Sequence, residues 1–591
     1  TKVLGHAAIN SSADAQLRSL GFAKYLSTDS AARTLLRCAG TKIQTVSISL
    51  GSFTNQTEDT TTAGTDFLAT STTQPVISTP FNAATGAVTW LAGGGMSTIY
   101  GYNGTKVTKN GADVATGTIT ATASATGGSF STTGTYRYAI VLRKASTQAN
   151  SNAALDTSAT ISATSDKVTI DLTGLTSLDT TKYDQIWIYR SAVGGSLNFT
   201  TGDLIAQVAS TATSYVDTGT SIASTQNVPR AGASVDNSVL PSGTYETVTS
   251  FKRRLITASG STFYISDIDK PESWPNEITI PTGGKIIGML SIGFNSPFST
   301  GADEYLCIWK EQELWILTGS GPDDWELKYV DSVGLAGPAL VVAINSYVTW
   351  VGHRGIYLWD GASKPIYASR LLEGNFRPNG DLDKTKFNMG WGTYHRNTST
   401  VEWRLSHRTQ GENKVSIKMD ARLTVPQTSQ GLDTRQIDGV FTQSYERSLY
   451  AGVSFTDTSN DEFIVAGDAS GYAYKMYRSS TNPGSTGISF SYETRPLDMG
   501  KPSLKKRYKK VIAWVDKLVT NDLTMYYWTD YRTNTEERSK VVAPMTDQVS
   551  TGTALWDVGF WDVAYWDDYT STITPVTFYL HSNENNAEGD T

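Results

Sequence analysis

Apolar residues fall in short runs, some alternating with polar ones and some continuous, and turns rich in glycine, serine and threonine separate them. That texture predicts strands and hairpins along most of the chain. The most informative stretch is Val348-Thr-Trp-Val-Gly-His-Arg-Gly-Ile-Tyr-Leu-Trp-Asp-Gly361, of which a degraded copy stands at Val88-Thr-Trp-Leu-Ala-Gly-Gly-Gly-Met-Ser-Thr-Ile-Tyr-Gly-Tyr-Asn-Gly104. Each copy opens on β-formers, Val348 and Trp350 or Val88 and Trp90, and breaks at a glycine turn. Each then resumes with an aromatic run and closes on Asp360-Gly361 or Asn103-Gly104, pairs suited to positive φ. Related two-strand units run from Arg254 to Asp267, from Tyr305 to Gly319, from Val401 to Leu405 with Lys414 to Lys418, and from Glu462 to Lys475. Successive units begin about 40 to 60 residues apart, the span of one four-stranded blade, so a β-propeller is expected at the centre of an all-β chain.

Between the first hairpin and the rest the texture changes. In Thr135-Tyr-Arg-Tyr-Ala-Ile-Val-Leu-Arg143, residues Tyr136, Tyr138, Ile140 and Leu142 share one face. Shorter strands follow at Lys167 to Leu172, Gln185 to Arg190, Leu204 to Val208 and Ser214 to Asp217, a spacing that predicts a small sandwich. The Gly134-Thr-Tyr-Arg-Tyr138 strand, the Leu172-Thr-Gly-Leu175 turn and the Ile188-Tyr-Arg190 strand resemble a fibronectin type III or related immunoglobulin-like module, which implies no functional residues. Because hairpin units lie on both sides, the expected order is a first part of the propeller at 39–116, an inserted module at 117–230, the rest of the propeller at 231–483 and a C-terminal β domain at 484–591. Two separate domains in series are the alternative. Residues 1–38 hold the only helix-suited segments, Ala13 to Leu20 and Ser30 to Arg37, with Ser12 and Ser30 as N-caps, and read as a short, partly helical N-terminal arm.

Composition narrows the chemistry. Cys38 and Cys307 form no CxxC pair, and the five histidines lack metal-ligand spacing, so neither a disulfide framework nor a metal or other cofactor is expected. No apolar run approaches the ~18 to 20 residues that span a bilayer, and no basic-then-apolar leader opens the chain, so no membrane-spanning segment is expected. A net charge of −7 argues against a dedicated nucleic-acid binder. Enzyme signatures fail in detail. Ser266-Asp-Ile-Asp-Lys-Pro-Glu-Ser-Trp274 lacks the glycine of a sialidase box, and Thr282-Gly-Gly-Lys-Ile286 lacks the first glycine and the hydroxyl of a phosphate loop. The Asp381-Leu-Asp383 pair is too short for a calcium loop. No catalytic residue is therefore assigned.

Two clusters stand out as contact candidates. Trp556, Trp561 and Trp566 recur every five residues, each followed by Asp, and read as aromatic anchors, either onto their own domain or onto a neighbouring subunit. Lys505, Lys506, Arg507, Lys509 and Lys510 form the strongest basic cluster, solvated on a turn or paired with phosphates or with acidic turns such as Pro322-Asp-Asp324.

One family resemblance covers more of the chain. From Phe251 to Pro275 an Arg-Leu strand, a Tyr-x-Ser strand and a Pro-Glu-Ser-Trp-Pro turn follow one another, and this segment resembles one that recurs in the tail nozzle proteins of short-tailed phages, also called tail tubular protein B. The stretch from Val333-Gly-Leu-Ala-Gly-Pro338 into Gly355-Ile-Tyr-Leu-Trp-Asp-Gly361, and that from Tyr492 to Val515, resemble the same group. The resemblance implies a virion structural protein assembled in the host cytoplasm, a homohexameric ring at the distal end of the tail. It implies contacts with the tail adaptor ring and tail fibres, and duplex DNA that leaves through the lumen without tight binding. The rival reading is a polysaccharide-binding or polysaccharide-cleaving propeller on a virion or cell surface, suggested by the many Trp and Tyr residues.

Overall fold

The structure, a computed structural model, describes residues 5–479 apart from 17, 28–32, 48–50, 57–65, 70–73, 84–85, 145–146, 177, 179, 181, 295–302, 345–346, 362–363, 425–440, 446 and 458. Beyond residue 479 it describes the backbone of the strands Lys510–Asp516, Leu523–Tyr527, Arg538–Val542 and Ile573–Tyr579. Two compact units divide the chain, Thr1–Phe490 and Ser491–Thr591.

Seven four-stranded antiparallel sheets account for most of the first unit among the described residues. The first sheet comprises Ser19–Leu26, Arg33–Ala39, Lys42–Ser47 and Ser52–Asn55, and the second Val76–Ala83, Gly86–Gly93, Tyr100–Tyr102 and Val107–Lys109. The third holds Thr247–Phe251, Arg254–Ser259, Thr262–Ile265 and Asn276–Thr279, and the fourth Ile286–Phe294, Asp303–Lys310, Leu314–Thr318 and Glu326–Asp331. Val341–Ile344, Tyr347–Gly352, Gly355–Trp359 and Ile366–Tyr367 make the fifth, and Trp391–His395, Thr400–His407, Gly411–Asp420 and Phe441–Tyr445 the sixth. In the seventh, Ala451–Thr456, Glu462–Gly467 and Ala473–Ser479 are completed by Gly5–Ala8, from the other end of the unit. All six hairpins expected from the sequence are the second and third strands of their sheets. The first strand of each sheet touches the first strand of the next, and Ala451–Thr456 touches Ser19–Leu26 in turn.

The inner strands of these sheets are buried on both faces, because each sheet packs against its neighbours, whereas fourth strands such as Ser52–Asn55 and Glu326–Asp331 are largely open. Trp309 of the fourth sheet meets Trp350 of the fifth with ring centroids 5.5 Å apart, and Trp350 stacks on Tyr357 at 5.7 Å. Apolar clusters fill every junction between successive sheets, including the one between the seventh and the first, where Phe22, Leu35 and Val46 meet Ala451, Phe455 and Val465. Between the second and third strands of the second sheet the chain turns on Gly93, Gly94 and Gly95, all at positive φ, and a Cβ on Gly93 would stand 2.2 Å from the Pro75 carbonyl oxygen.

The helical reading of residues 1–38 is wrong. Ser19–Leu26 and Arg33–Ala39 are strands, and the boundary expected at 38/39 falls inside the first sheet. The cause lies in the burial. Leu35 enters the cluster shared with the seventh sheet, and its neighbour Leu36 enters the one shared with the second. A strand covered on both sides shows a continuous apolar run rather than alternation, and here tertiary packing overrides a helix-favouring composition.

After Val107–Lys109 the chain leaves the sheets and returns at Thr247–Phe251. In between lie a three-stranded sheet, Thr120–Ser124, Lys167–Asp171 and Ser214–Asp217, and a five-stranded one in the order Asp156–Ile161, Gly134–Lys144, Tyr183–Arg190, Thr201–Ala209, Ala223–Asn227. Tyr138, Ile140, Leu142, Val168, Ile170, Ile186 and Ile188 form their common core. In the second unit Lys510–Asp516 pairs with Ile573–Tyr579, and Leu523–Tyr527 with Arg538–Val542.

Candidate functional site

A buried polar cluster lies where the module between Val107–Lys109 and Thr247–Phe251 is rooted. Glu272, in the loop between the third and fourth strands of the third sheet, points into this root and is almost wholly buried. One of its oxygens, Oε2, accepts from the Lys144 ammonium at 2.8 Å and from the Gly111 N–H at 2.9 Å. The ammonium also donates to the Lys109 carbonyl. The loop is fastened twice more, since Asn110 donates to the Pro271 carbonyl at 2.9 Å and the Trp274 indole N–H donates to Asn110 at 2.7 Å. Glu272 Oε1 finds no protein donor.

The return segment is tied in the same way. Asn152 of the module donates to Asp236 at 2.9 Å and accepts from the Asn237 N–H at 2.8 Å, while the Trp274 N–H reaches the Ser238 carbonyl. Burial tends to raise the Asp236 carboxyl, but donors from Gly232, Ser238 and Asn152 outweigh it and hold the group below the usual carboxylate range. Asp113 is depressed likewise, its partial burial outweighed by Lys182 at 2.9 Å. Such an arrangement fixes one domain against another. It offers no nucleophile or base with access to a substrate.

A second network lies beside the first strands of the first, sixth and seventh sheets. Arg18 stacks over the Tyr450 ring at 4.1 Å and lies 3.7 Å from Glu412, which also accepts from Lys386 at 3.1 Å and from the Tyr450 hydroxyl at 3.0 Å. Burial and the Glu412 charge push the Tyr450 phenol up to about 12, away from any role in proton transfer near neutrality. Cys38 and Cys307 are free and fully buried, and burial pushes the Cys38 thiol up to about 12, which makes it inert. No group of His, Cys, Asp and Glu suited to a metal ion occurs among the described residues.

Of the contact residues expected from the sequence, Trp556, Trp561, Trp566, Lys505, Lys506, Arg507 and Lys509 lie outside the described residues, and Lys510 is described only as the first backbone position of its strand. The ten described tryptophans bear on the sugar-binding alternative, because none is exposed: seven are buried and Trp187, Trp315 and Trp325 are half-buried. Sequence reasoning missed Asn110 and Lys144. A lysine closing the otherwise buried strand Gly134–Lys144 was the available signal.

No family model matches the chain, and no curated protein matches it. Among solved structures, similar chains include Hsv2 of Kluyvelomyces marxianus, 10% identical, covering 50% of this chain and 68% of that one at a TM-score of 0.23. BBS1N in complex with ARL6DN is 8% identical over 82% of this chain and 99% of that one, at a TM-score of 0.30. The extracellular domain of the one component system BT4673 of B. thetaiotaomicron is 10% identical over 81% and 40%, at a TM-score of 0.24. Likenesses at these TM-scores decide nothing about function. The described residues are nearly all β, 53% strand and 3% helix, and no helix among them is long and apolar enough to cross a membrane.

Proposed function

We propose that this chain is a seven-bladed β-propeller carrying an immunoglobulin-like module between its second and third blades, and that it serves as the nozzle subunit of a short-tailed phage tail. The propeller reading is supported by seven consecutive four-stranded sheets whose first strands touch in cyclic order, with an N-terminal strand completing the last sheet. Such a clasp shuts a ring without leaving a first and last blade free to part. The two facing sheets of the module, with a common core, support the sandwich reading.

The observation that carries the nozzle reading is the Pro271-Glu-Ser-Trp274 segment. It belongs to the stretch on which the family resemblance rests, and here it is the seat of the inserted module. A resemblance confined to a surface turn would mean little, but this turn holds a buried ion pair between two domains. In this reading the subunit is structural and has no catalytic role. It assembles as a homohexamer, one heterologous contact repeated until the ring closes, and presents faces to the adaptor ring and fibres. Antibodies raised against the module should decorate the distal end of the tail in micrographs of virions. Decoration of the capsid, or none on intact particles, would refute the assignment.

A further inference from the structure

Four basic residues, His353, Arg354, Lys384 and Arg408, gather in a chain whose net charge is −7. His353 and Arg354 form the tip of the turn between the second and third strands of the fifth sheet, where Gly352 pairs with Gly355. Arg408 stands in the corresponding turn of the sixth sheet, between Thr400–His407 and Gly411–Asp420. Lys384 opens the short 3-10 helix Lys384–Met389, which leads into the first strand of the sixth sheet. Lys384 is half-buried and the other three are exposed.

Backbone contacts hold these segments side by side. The Arg408 N–H donates to the Asp381 carbonyl at 2.9 Å, the Asp383 N–H donates to the Ser406 carbonyl at 2.9 Å, and Leu382 bridges to His407. Towards the fifth sheet, the Ala336 N–H donates to the Val351 carbonyl at 3.0 Å, and a Cβ on the adjacent Gly337 would stand 2.4 Å from the Phe387 carbonyl oxygen of the helix. The basic groups are close enough to act on one another. Half-burial, and then the Arg354 and Arg408 charges, push the Lys384 ammonium below its ordinary range. The protein packed around the turn, and then the Lys384 charge, do the same to the His353 imidazole, and Glu311 opposes them only in part.

None of the four forms an ion pair with a carboxylate among the described residues, although the Arg408 guanidinium donates to the Pro378 carbonyl. The carboxylates nearby are engaged elsewhere. Asp383 accepts from the Thr385 N–H at 3.2 Å, Glu412 accepts from Lys386 at 3.1 Å, and Glu373 lies 3.5 Å from Arg377. Asp381 offers Arg408 its carbonyl rather than its carboxylate. Like charges held together without a counter-charge repel one another, and a bound anion relieves that repulsion.

We propose that His353, Arg354, Lys384 and Arg408 bind a phosphate group carrying two negative charges. Such a group brings about −1.5 to −2 charges at neutral pH and three acceptor oxygens. These match three cations and a histidine N–H better than the single charge and two oxygens of a carboxylate. Two guanidiniums supply planar donor forks, and the lysine supplies a point charge. A phosphodiester carries one charge, so the site favours free phosphate or a phosphomonoester over a nucleic-acid backbone. The inference does not depend on the nozzle assignment.

Titration calorimetry of the full chain with inorganic phosphate, against chloride at equal ionic strength, tests it. The native chain should bind phosphate at one site, and Lys384→Met and Arg354→Gln should each weaken binding about tenfold or more. Without phosphate, K384M should melt no lower than the native chain, because the substitution removes a repelled charge and leaves the fold intact. Glucose 6-phosphate separates the two sources: binding as tight as that of phosphate makes this a phosphomonoester site, and exclusion confines it to the free ion. No binding beyond that of chloride, undiminished binding in both variants, or diethyl phosphate binding as tightly as inorganic phosphate would overturn the proposal.

Discussion

A single carboxylate, Glu272, carries the buried ion pair that ties the module to the third sheet. The side chains of Glu272 and Lys144 are 4% and 1% exposed, so removing one partner leaves the other charge buried and uncompensated, which costs about 3–5 kcal/mol. Lys144→Met alone should therefore lower the stability measured in denaturant by that order, and Lys144→Met with Glu272→Gln should recover part of the loss. Equal stability of K144M and the native chain would show that the pair is not the fastening. A second prediction concerns Lys252 and Arg253, which form the two-residue turn after Thr247–Phe251 with φ of 45° and 63°. That left-handed geometry suits Asn-Gly far better than two long side chains. Lys252→Asn with Arg253→Gly should raise stability by about 1 kcal/mol, read from the same denaturation curves.

Gly5–Ala8 is the most consequential strand for its length, because it pairs with Ala473–Ser479 and covers an edge otherwise left bare. Deleting residues 1–9 should produce a chain that is cut rapidly by protease between residues 451 and 479 and scatters light on concentration. Resistance equal to that of the full chain would show that the seventh sheet stands without its fourth strand. Acid should act first at the root of the module. Asp236 and Asp113 are held below their ordinary range, so their contribution is present above the unfolded carboxylate value of about 3.9 and is lost as pH falls through the depressed folded values. Hydrogen exchange of Gly134–Lys144 should therefore speed up below about pH 4 before that of Asp303–Lys310. The elements differed in how far the sequence announced them. Repeated Trp, Gly and Asp-Gly positions made six hairpins legible at 88–104, 254–267, 305–319, 348–361, 401–418 and 462–475. Arg33–Ala39 was not legible, since consecutive leucines serve opposite faces and a buried arginine stands among them, satisfied by Asp14, Gln44 and Ser19. The junction of Glu272 with Lys144 was beyond reach because 128 residues separate the partners and only the fold unites them.

In the whole molecule, charge and assembly decide the account. In the proposed ring, six copies at −7 each would repel duplex DNA on average, and a conduit that gripped phosphates would slow its own cargo. The purified protein should show no appreciable duplex binding at about 0.15 M salt, where screening acts over roughly 8 Å. Submicromolar affinity with a steep salt slope in a titration of labelled duplex would replace the passive conduit by a DNA-gripping device. The central claim is the ring of six propellers, and its most direct test is symmetry-resolved particle imaging of the tail tip. The account predicts sixfold density in which each subunit shows seven four-stranded blades and one module rooted between the second and third. A threefold or twofold tip, or subunits without a closed circle of blades, would contradict it.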